Sequence, residues 1–353
     1  MSEGHTVPRL KRQQIAQFKR NGLLVLPGVL DHGACGRVCD QLWEVIDEYR
    51  PQMRRDDPAT WLPFTEAEVE GHLRPEAGGD PYFFGRGHRL YVRNGAEQHV
   101  VDAAVRPLWD IAEQLMGEGQ VVWPAGVDDE GVTEGPCLMT ERSRQGMVGH
   151  IGDRADEWLG ETTGRTEMLK LPKTGPVWMT AQGARGLYCT FPNSPEPQEG
   201  YRGAHAEALF DTFWRLQIAV YVDEVPEGGG GLMLWPGSHR RIWDYWEDIH
   251  RDVAPPDRPE GVPEWDGYTA PPLLDIKADT QPVDTFGPAG SVVLWHANLL
   301  HMAGQNTRDD TIRQAAIYAF AKTPESVSDA TIKRDPHGDL WRDWSDEVKV
   351  VDG

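Results

Sequence analysis

The sequence predicts a mainly β fold with flanking helices. Three observations carry this. From Gly186 onward the chain falls into short apolar runs separated by Gly/Pro turns. Helical spacing of apolar residues concentrates in residues 12–116 and returns briefly after Pro236-Gly237. The later runs are joined by turns rather than helices, which favours a sandwich or barrel over alternating β-α units. The 353 residues read as one domain in four parts. These are an N-terminal helical part (12–116), a variable insertion with the first strands (117–185), a β core (186–322) and a C-terminal tail (323–353).

Residues 13–20 form a polar helix carrying Ile15 and Phe18, stopped by Asn21-Gly22, which both tolerate positive φ. Residues 23–26 (LLVL) make a short buried strand closed by Pro27-Gly28. Asp31 is the expected N-cap of a helix reaching Tyr49, with Cys35, Val38, Leu42 and Ile46 at helical spacing. Residues 51–100 are polar and Pro/Gly-punctuated and give no clear element. A second helix spans 101–116 despite Pro107. Residues 117–185, rich in Gly and acids, hold Trp123, Trp158 and Trp178. They read as strands of the main sheet with an elaborated insertion, because structureless loops of that length are uncommon unless functional. Strands follow at 186–191, 213–222, 232–235, 291–295, 299–302 and 312–320. A helix lies at 240–250, and 253–290 is read as mostly loop.

Composition narrows the function. A formal charge of -21 argues against nucleic acid and anionic membranes as partners. No run approaches the length of a membrane span and no signal peptide is visible, so the expectation is a soluble, cytoplasmic protein acting on a small molecule. Cys35 and Cys39 lie one helical turn apart, unlike a CxxC site. With Cys137 and Cys189 they read as free thiols in a reducing compartment.

The chemistry-bearing stretch is Gly203-Ala204-His205-Ala206-Glu207. On a strand, positions i and i+2 share a face, so His205 and Glu207 would present an imidazole and a carboxylate side by side. His301, on another strand, would complete a facial triad of two His and one carboxylate. Such a triad leaves positions open and suits non-haem Fe(II) that activates O2. Arg313 enters an apolar strand, sharing a face with Ala315, Ile317 and Ala319. A guanidinium there needs a partner, either a ligand carboxylate or an Asp or Glu of the chain. Arg308, in the preceding turn, reads as solvated. His239, His296 and Cys189 read as packing residues, and so does Trp235 unless it walls a substrate pocket with Trp178 and Trp214.

Three stretches together resemble the phytanoyl-CoA dioxygenase family of Fe(II)- and 2-oxoglutarate-dependent oxygenases. They are FKRNGLLVLPGVL (18–30), GLMLWPGSH (231–239), and PAGSVVLWH (288–296) running on to His301, Gly304, Asn306 and Arg313. The resemblance implies a double-stranded β-helix core, a cupin-like jelly roll, at 186–322. It implies Fe(II) on His205, Glu207 and His301, and 2-oxoglutarate chelating that iron. Its distal carboxylate would meet Arg313, with Thr190 donating its hydroxyl to the same group and Asn306 as a further cosubstrate contact. O2 is the co-reactant. The family usually carries Asp where Glu207 stands. Halogenating relatives lack that carboxylate, so hydroxylation or a related oxidation is expected. Two other readings compete: a jelly-roll binding protein without catalysis, and a cupin-like metal enzyme that does not use 2-oxoglutarate. Residues 124–185 are expected to include a lid over the site.

Overall fold

The computed structural model describes residues 9–63, 65, 82–85, 88–92, 97–121, 127–128, 131–132, 138–139, 169–170, 183–194, 201, 203–206, 214–250, 271–322, 326 and 339–353. Several expectations lie outside the described residues: Glu207, Cys137, Trp123, Trp158, Trp178, the side chain of Trp214, and nearly all of the expected lid.

The N-terminal elements follow from local signals. Helix α1 (Arg12–Asn21) ends where Gly22 takes φ 75°, a left-handed conformation that costs glycine little. Its buried residues are Ile15 and Phe18. Strand β1 (Leu23–Leu26) follows directly. Helix α2 (His32–Tyr49) is capped by Asp31, whose carboxylate accepts from the Ala34 N–H at 2.7 Å. Helix α3 (Glu97–Met116) contains Pro107.

The strands build a jelly roll. The large sheet has seven antiparallel strands in the order β1-β12-β9-β14-β8-β3-β2. The later members are β2 (Tyr82–Gly85), β3 (Arg89–Val92), β8 (Gly183–Thr190), β9 (Trp214–Tyr221), β12 (Ser291–His296) and β14 (Arg313–Ala321). The small sheet runs β11 (Val283–Asp284), β10 (Leu232–Leu234), β13 (His301–Ala303). His205 extends it by a bridge to His301. Consecutive strands pass from one sheet to the other, as a double-stranded β-helix requires: β9 large, β10 and β11 small, β12 large, β13 small, β14 large.

Strand alternation divides the core into layers. Leu24, Ile218, Val220, Leu294, Ala316, Leu187 and Leu90 turn outward from the large sheet. They pack with Phe18 of α1, Val38 and Leu42 of α2, and Leu108 and Leu115 of α3. Leu23, Ala219, Tyr221, Val293, Trp295, Ala315 and Ile317 turn inward and meet Leu232 and Leu234 of the small sheet. A third cluster covers the other face of the small sheet: Ala204, Ala206, Trp235, Leu300 and Met302 pack on Ile242 of α4 (Ser238–His250) and on Leu273 and Ile276 of α5 (Pro271–Asp279).

Four features differ from the sequence expectations or go beyond them. Residues 82–85 and 89–92 are strands of the large sheet, with β3 beside β8. Each is only four residues long, too short for alternation to stand out among the surrounding Pro and Gly. Residues 271–279, read as loop, are α5. Its Pro271-Pro272 start sits in the first turn, where a missing N–H breaks no helical bond. The described strands of 117–182 are two-residue ladders, β4 (Val127–Asp128) with β5 (Gly131–Val132) and β6 (Leu138–Met139) with β7 (Leu169–Lys170). They form small separate sheets rather than strands of the large one. The C-terminal tail is core at its end, where Trp341, Trp344, Val348 and Val351 join the main cluster beside Phe18. Val348 lies on a short helix, α6 (Asp346–Val350), too brief to show a period in the sequence.

Candidate active site

The site lies between the two sheets. His301 stands opposite Leu234 in the register of β13 with β10, and Leu234 faces the inner cluster, so His301 does too. Its neighbour is His205. Each donates its backbone N–H to the other's carbonyl, at 3.0 and 2.9 Å. Ala204 and Ala206 point into the opposite cluster beneath α4 and α5, which turns the intervening His205 inward. The two rings come within 4.5 Å, centre to centre.

The rings are fixed in the same way. His205 Nδ1 lies 3.0 Å from the Gly203 carbonyl and His301 Nδ1 lies 2.9 Å from the Leu299 carbonyl. A carbonyl only accepts, so both Nδ1 atoms carry hydrogen and both lone pairs sit on Nε2. This is the tautomer in which a metal-binding histidine is commonly held by its surroundings. The arrangement fits a cation bound through two Nε2 atoms. Glu207, the expected third ligand, lies outside the described residues.

At the other end is Arg313, 2% exposed. It donates from Nε to the Gly230 carbonyl (3.0 Å), from Nη1 to the Tyr188 carbonyl (3.0 Å) and from Nη2 to Thr190 Oγ1 (2.7 Å). Thr190 is also its Cα partner across β14 and β8. The expected Arg313–Thr190 pair is therefore brought together. Leu234, level with His301, and Gly230, which receives Arg313, are four residues apart in the chain. Ala219 and Ala315 line the inner face between them and leave it shallow.

The turn beneath Arg313 is tightly built. A Cβ on Gly231 would fall 1.7 Å from the Thr285 carbonyl oxygen, so no other residue fits. Asn306 holds the same turn. Its amide donates to the carbonyls of Thr190 (3.1 Å) and Thr311 (2.8 Å), and its side-chain oxygen accepts from the Arg308 N–H. Asn306 thus ties the ends of β8 and β14 together. Both of its amide hydrogens are committed to these two carbonyls, beside the Arg313–Thr190 pair. Tyr221 is also committed. Its hydroxyl bonds Thr285 Oγ1 (2.6 Å) and accepts from the Leu232 N–H (2.9 Å), and burial raises its pKa.

The residues set aside in the sequence lie elsewhere. Arg308 is exposed and paired with Asp310. His296 faces outward, opposite in sense to Trp295; its Nδ1 accepts from the Asn298 N–H and its ring stacks on Trp344 at 5.2 Å. His239 is fully buried, lies 3.2 Å from the Lys19 carbonyl through Nε2, and is pushed down to about 4 by burial.

Three inward residues escaped sequence reasoning. Arg89 is the Cα partner of Thr190, and its neighbour Leu90 faces the helices, so Arg89 shares the Arg313 face. Gln217 and Trp295 are Cα partners on β9 and β12 at the histidine end. Arg89 and Gln217 sit in no motif, and Trp295 lies in the 288–296 stretch without a role to mark it. Only the register brings them to the site.

The profile of the phytanoyl-CoA dioxygenase (PhyH) family matches residues 18–315. No curated protein matches the sequence. Several solved structures align at low similarity. AviO1 from Streptomyces viridochromogenes Tue57 has 16% identity and a TM-score of 0.38, over 90% of this chain and 96% of that one. SnoN, an epimerase solved with Fe3+, alpha ketoglutarate and nogalamycin RO, has 16% identity and a TM-score of 0.38, over 88% and 82%. EctD from S. alaskensis, solved with bound Fe, has 14% identity and a TM-score of 0.36, over 91% and 78%. The sequence profile spans most of the chain, including β1, the 231–239 turn and both histidines: this chain belongs to the phytanoyl-CoA dioxygenase family.

Proposed function

We propose that the protein is an Fe(II)- and 2-oxoglutarate-dependent dioxygenase that hydroxylates, or otherwise oxidises, a small organic metabolite. The observation that carries this reading is the pairing of two features in one inner layer. Two histidines share a tautomer with Nε2 lone pairs, and a buried arginine is held against a threonine hydroxyl beyond the alanine-lined face. A binding module needs neither.

In this reading His205, His301 and Glu207 hold the metal. When bound, iron with 2-oxoglutarate and O2 supplies the oxidising power and releases succinate and CO2. The chain supplies placement. Arg313 pairs bidentately with the distal carboxylate, and Thr190, already receiving a hydrogen bond from Arg313, keeps its own hydroxyl hydrogen to donate to that group. The carbonyls of Gly230 and Tyr188 fix the guanidinium plane before any ligand arrives, which lowers the ordering cost of binding. The apolar residues around the site limit water near the reacting centre.

The acidic chain favours a small metabolite over a CoA thioester, whose pyrophosphate would need a basic surface. Among the described residues no helix is long and apolar enough to cross a membrane. Cys35, Cys39 and Cys189 are buried and free, which fits a reducing compartment such as the cytoplasm. Burial pushes Cys35 up to about 11 and Cys39 up to about 12, which keeps both as inert thiols. The test is succinate release from 2-oxoglutarate with added Fe(II), ascorbate and a metabolite panel. Iron-dependent succinate is expected. Its absence with iron demonstrably bound would move the assignment to a metal enzyme that does not use 2-oxoglutarate.

A further inference from the structure

Gln217 and Trp295 stand side by side on the inner face of the large sheet, in a row with Leu23 on one flank and Ala319 on the other. Each is 1% exposed. Among the described residues, Gln217 Nε2 and Trp295 Nε1 have no hydrogen-bond partner. Buried polar groups are nearly always bonded, and two neighbouring exceptions call for a reason. Leu or Phe would pack in the same places and leave no donor stranded. Two polar side chains of the same face are engaged: Thr190 with Arg313, and Tyr221 with Thr285 and Leu232.

Their location supplies the reason. The Trp295 ring lies 5.2 Å from the His301 ring. The orphan N–H groups therefore belong to the histidine end of the inner layer. Both are neutral donors, so their complement is an oxygen acceptor. An α-keto acid chelating a metal uses its keto oxygen and one carboxylate oxygen. The second carboxylate oxygen remains turned to the wall and needs donors when water is excluded. Its charge is already balanced by the metal, so uncharged donors suffice there. The distal carboxylate has no metal and needs the guanidinium of Arg313.

We propose that Gln217 and Trp295 receive the keto-acid end of the cosubstrate, donating from Nε2 and Nε1 to its metal-proximal carboxylate. This rests on the 2-oxoglutarate reading above. The cosubstrate is then gripped at both ends, by neutral N–H groups beside His301 and by Arg313 with Thr190 at the far end.

The test uses full-length protein loaded with Zn(II), a closed-shell metal that supports binding without turnover. Proton–nitrogen spectra follow the Trp295 indole and the Gln217 carboxamide, identified through Trp295→Phe and Gln217→Leu. On saturation with 2-oxoglutarate both N–H signals should move downfield as they gain an acceptor. Pyruvate, which has only the keto-acid end, should move them too. Glutarate, which lacks the keto group, should not. Gln217→Leu should weaken 2-oxoglutarate binding about tenfold, the size of one hydrogen bond to a charged group, with Zn(II) affinity unchanged. If 2-oxoglutarate binds the loaded wild type while both signals stay in place and Gln217→Leu binds as well, the inference is wrong and the parent reading stands. A response to glutarate but not pyruvate would also overturn it. If 2-oxoglutarate does not bind the loaded protein at all, the parent reading falls, and this inference with it.

Discussion

Two histidine pairs lie on opposite faces of this protein's β layers, and only one of them is suited to hold a metal. His205 and His301 are 4.5 Å apart between the sheets. His239 and His296 are 5.6 Å apart on the helical side, against Trp341 and Trp344. Proximity alone does not separate the pairs; hydrogen bonding does. In the inner pair both Nδ1 atoms face carbonyls, so both rings carry their lone pair on Nε2. In the outer pair the rings are used differently. His239 meets the Lys19 carbonyl through Nε2, while His296 accepts a backbone N–H at Nδ1. One ring then has its lone pair on Nδ1 and turned to the packing, and the other has spent its lone pair on Asn298. The outer pair is a packing device beside aromatic rings.

The largest expected effect comes from breaking the inner pair. His301→Ala or His205→Ala should remove turnover and most Fe(II) affinity, measured by succinate release and metal titration. The fold should persist, because the core is carried by the apolar layers. His239→Ala should do the reverse. Truncating a buried ring costs about 3 kcal/mol of stability, read from denaturant unfolding, with metal affinity unchanged. A loss of iron binding in His239→Ala would erase the distinction between the pairs.

The next effect concerns the Arg313 end of the site. Arg313→Leu leaves the distal carboxylate without its charge partner, a loss on the order of 2–5 kcal/mol. The KM for 2-oxoglutarate should rise about thirty-fold or more, with Fe(II) affinity nearly unchanged. Arg313→Lys should be intermediate, since a point charge does not reproduce two parallel hydrogen bonds. Arg308→Leu is the control, because its partner Asp310 is exposed and such pairs contribute little. An unchanged KM in Arg313→Leu would remove the cosubstrate assignment.

The smallest effect on chemistry is the pH response of the outer pair. His239 is held at about 4 against an ordinary value of 6.5, and His296 is lowered as well, both by burial. Above about pH 6.5 they are neutral whether folded or unfolded. As pH falls from there toward 4, the unfolded chain takes up protons that the folded chain refuses, so stability declines. For His239 the decline reaches about 3 kcal/mol. Unfolding measurements between pH 8 and pH 5 should show about 2 kcal/mol of it, and His239→Asn should leave only the part due to His296.

What could be read in advance followed from local physics. Asp31, Gly22 and the spacing of Cys35, Val38, Leu42 and Ile46 announce α1 and α2, since caps and helical periods are written within one element. His205, His301, Arg313 and Thr190 could be named because each sits in a strand or motif whose order was recognisable. Arg89, Gln217 and Trp295 could not, because their roles depend on which strands become neighbours. Asn306 was named for a cosubstrate contact, whereas its amide partners, Thr190 and Thr311, come within reach only when β8 and β14 meet. Trp341 and Trp344 looked like tail because nothing local ties them to Phe18.

The most direct test of the central claim is a nitrogen spectrum of the imidazoles in protein with labelled histidine, with and without Zn(II) as a closed-shell stand-in for iron. The account predicts that Nε2 of His205 and His301 shifts on metal addition while their Nδ1 atoms stay protonated, and that His239 and His296 do not respond. Coordination through Nδ1, or a response confined to the outer pair, would contradict it.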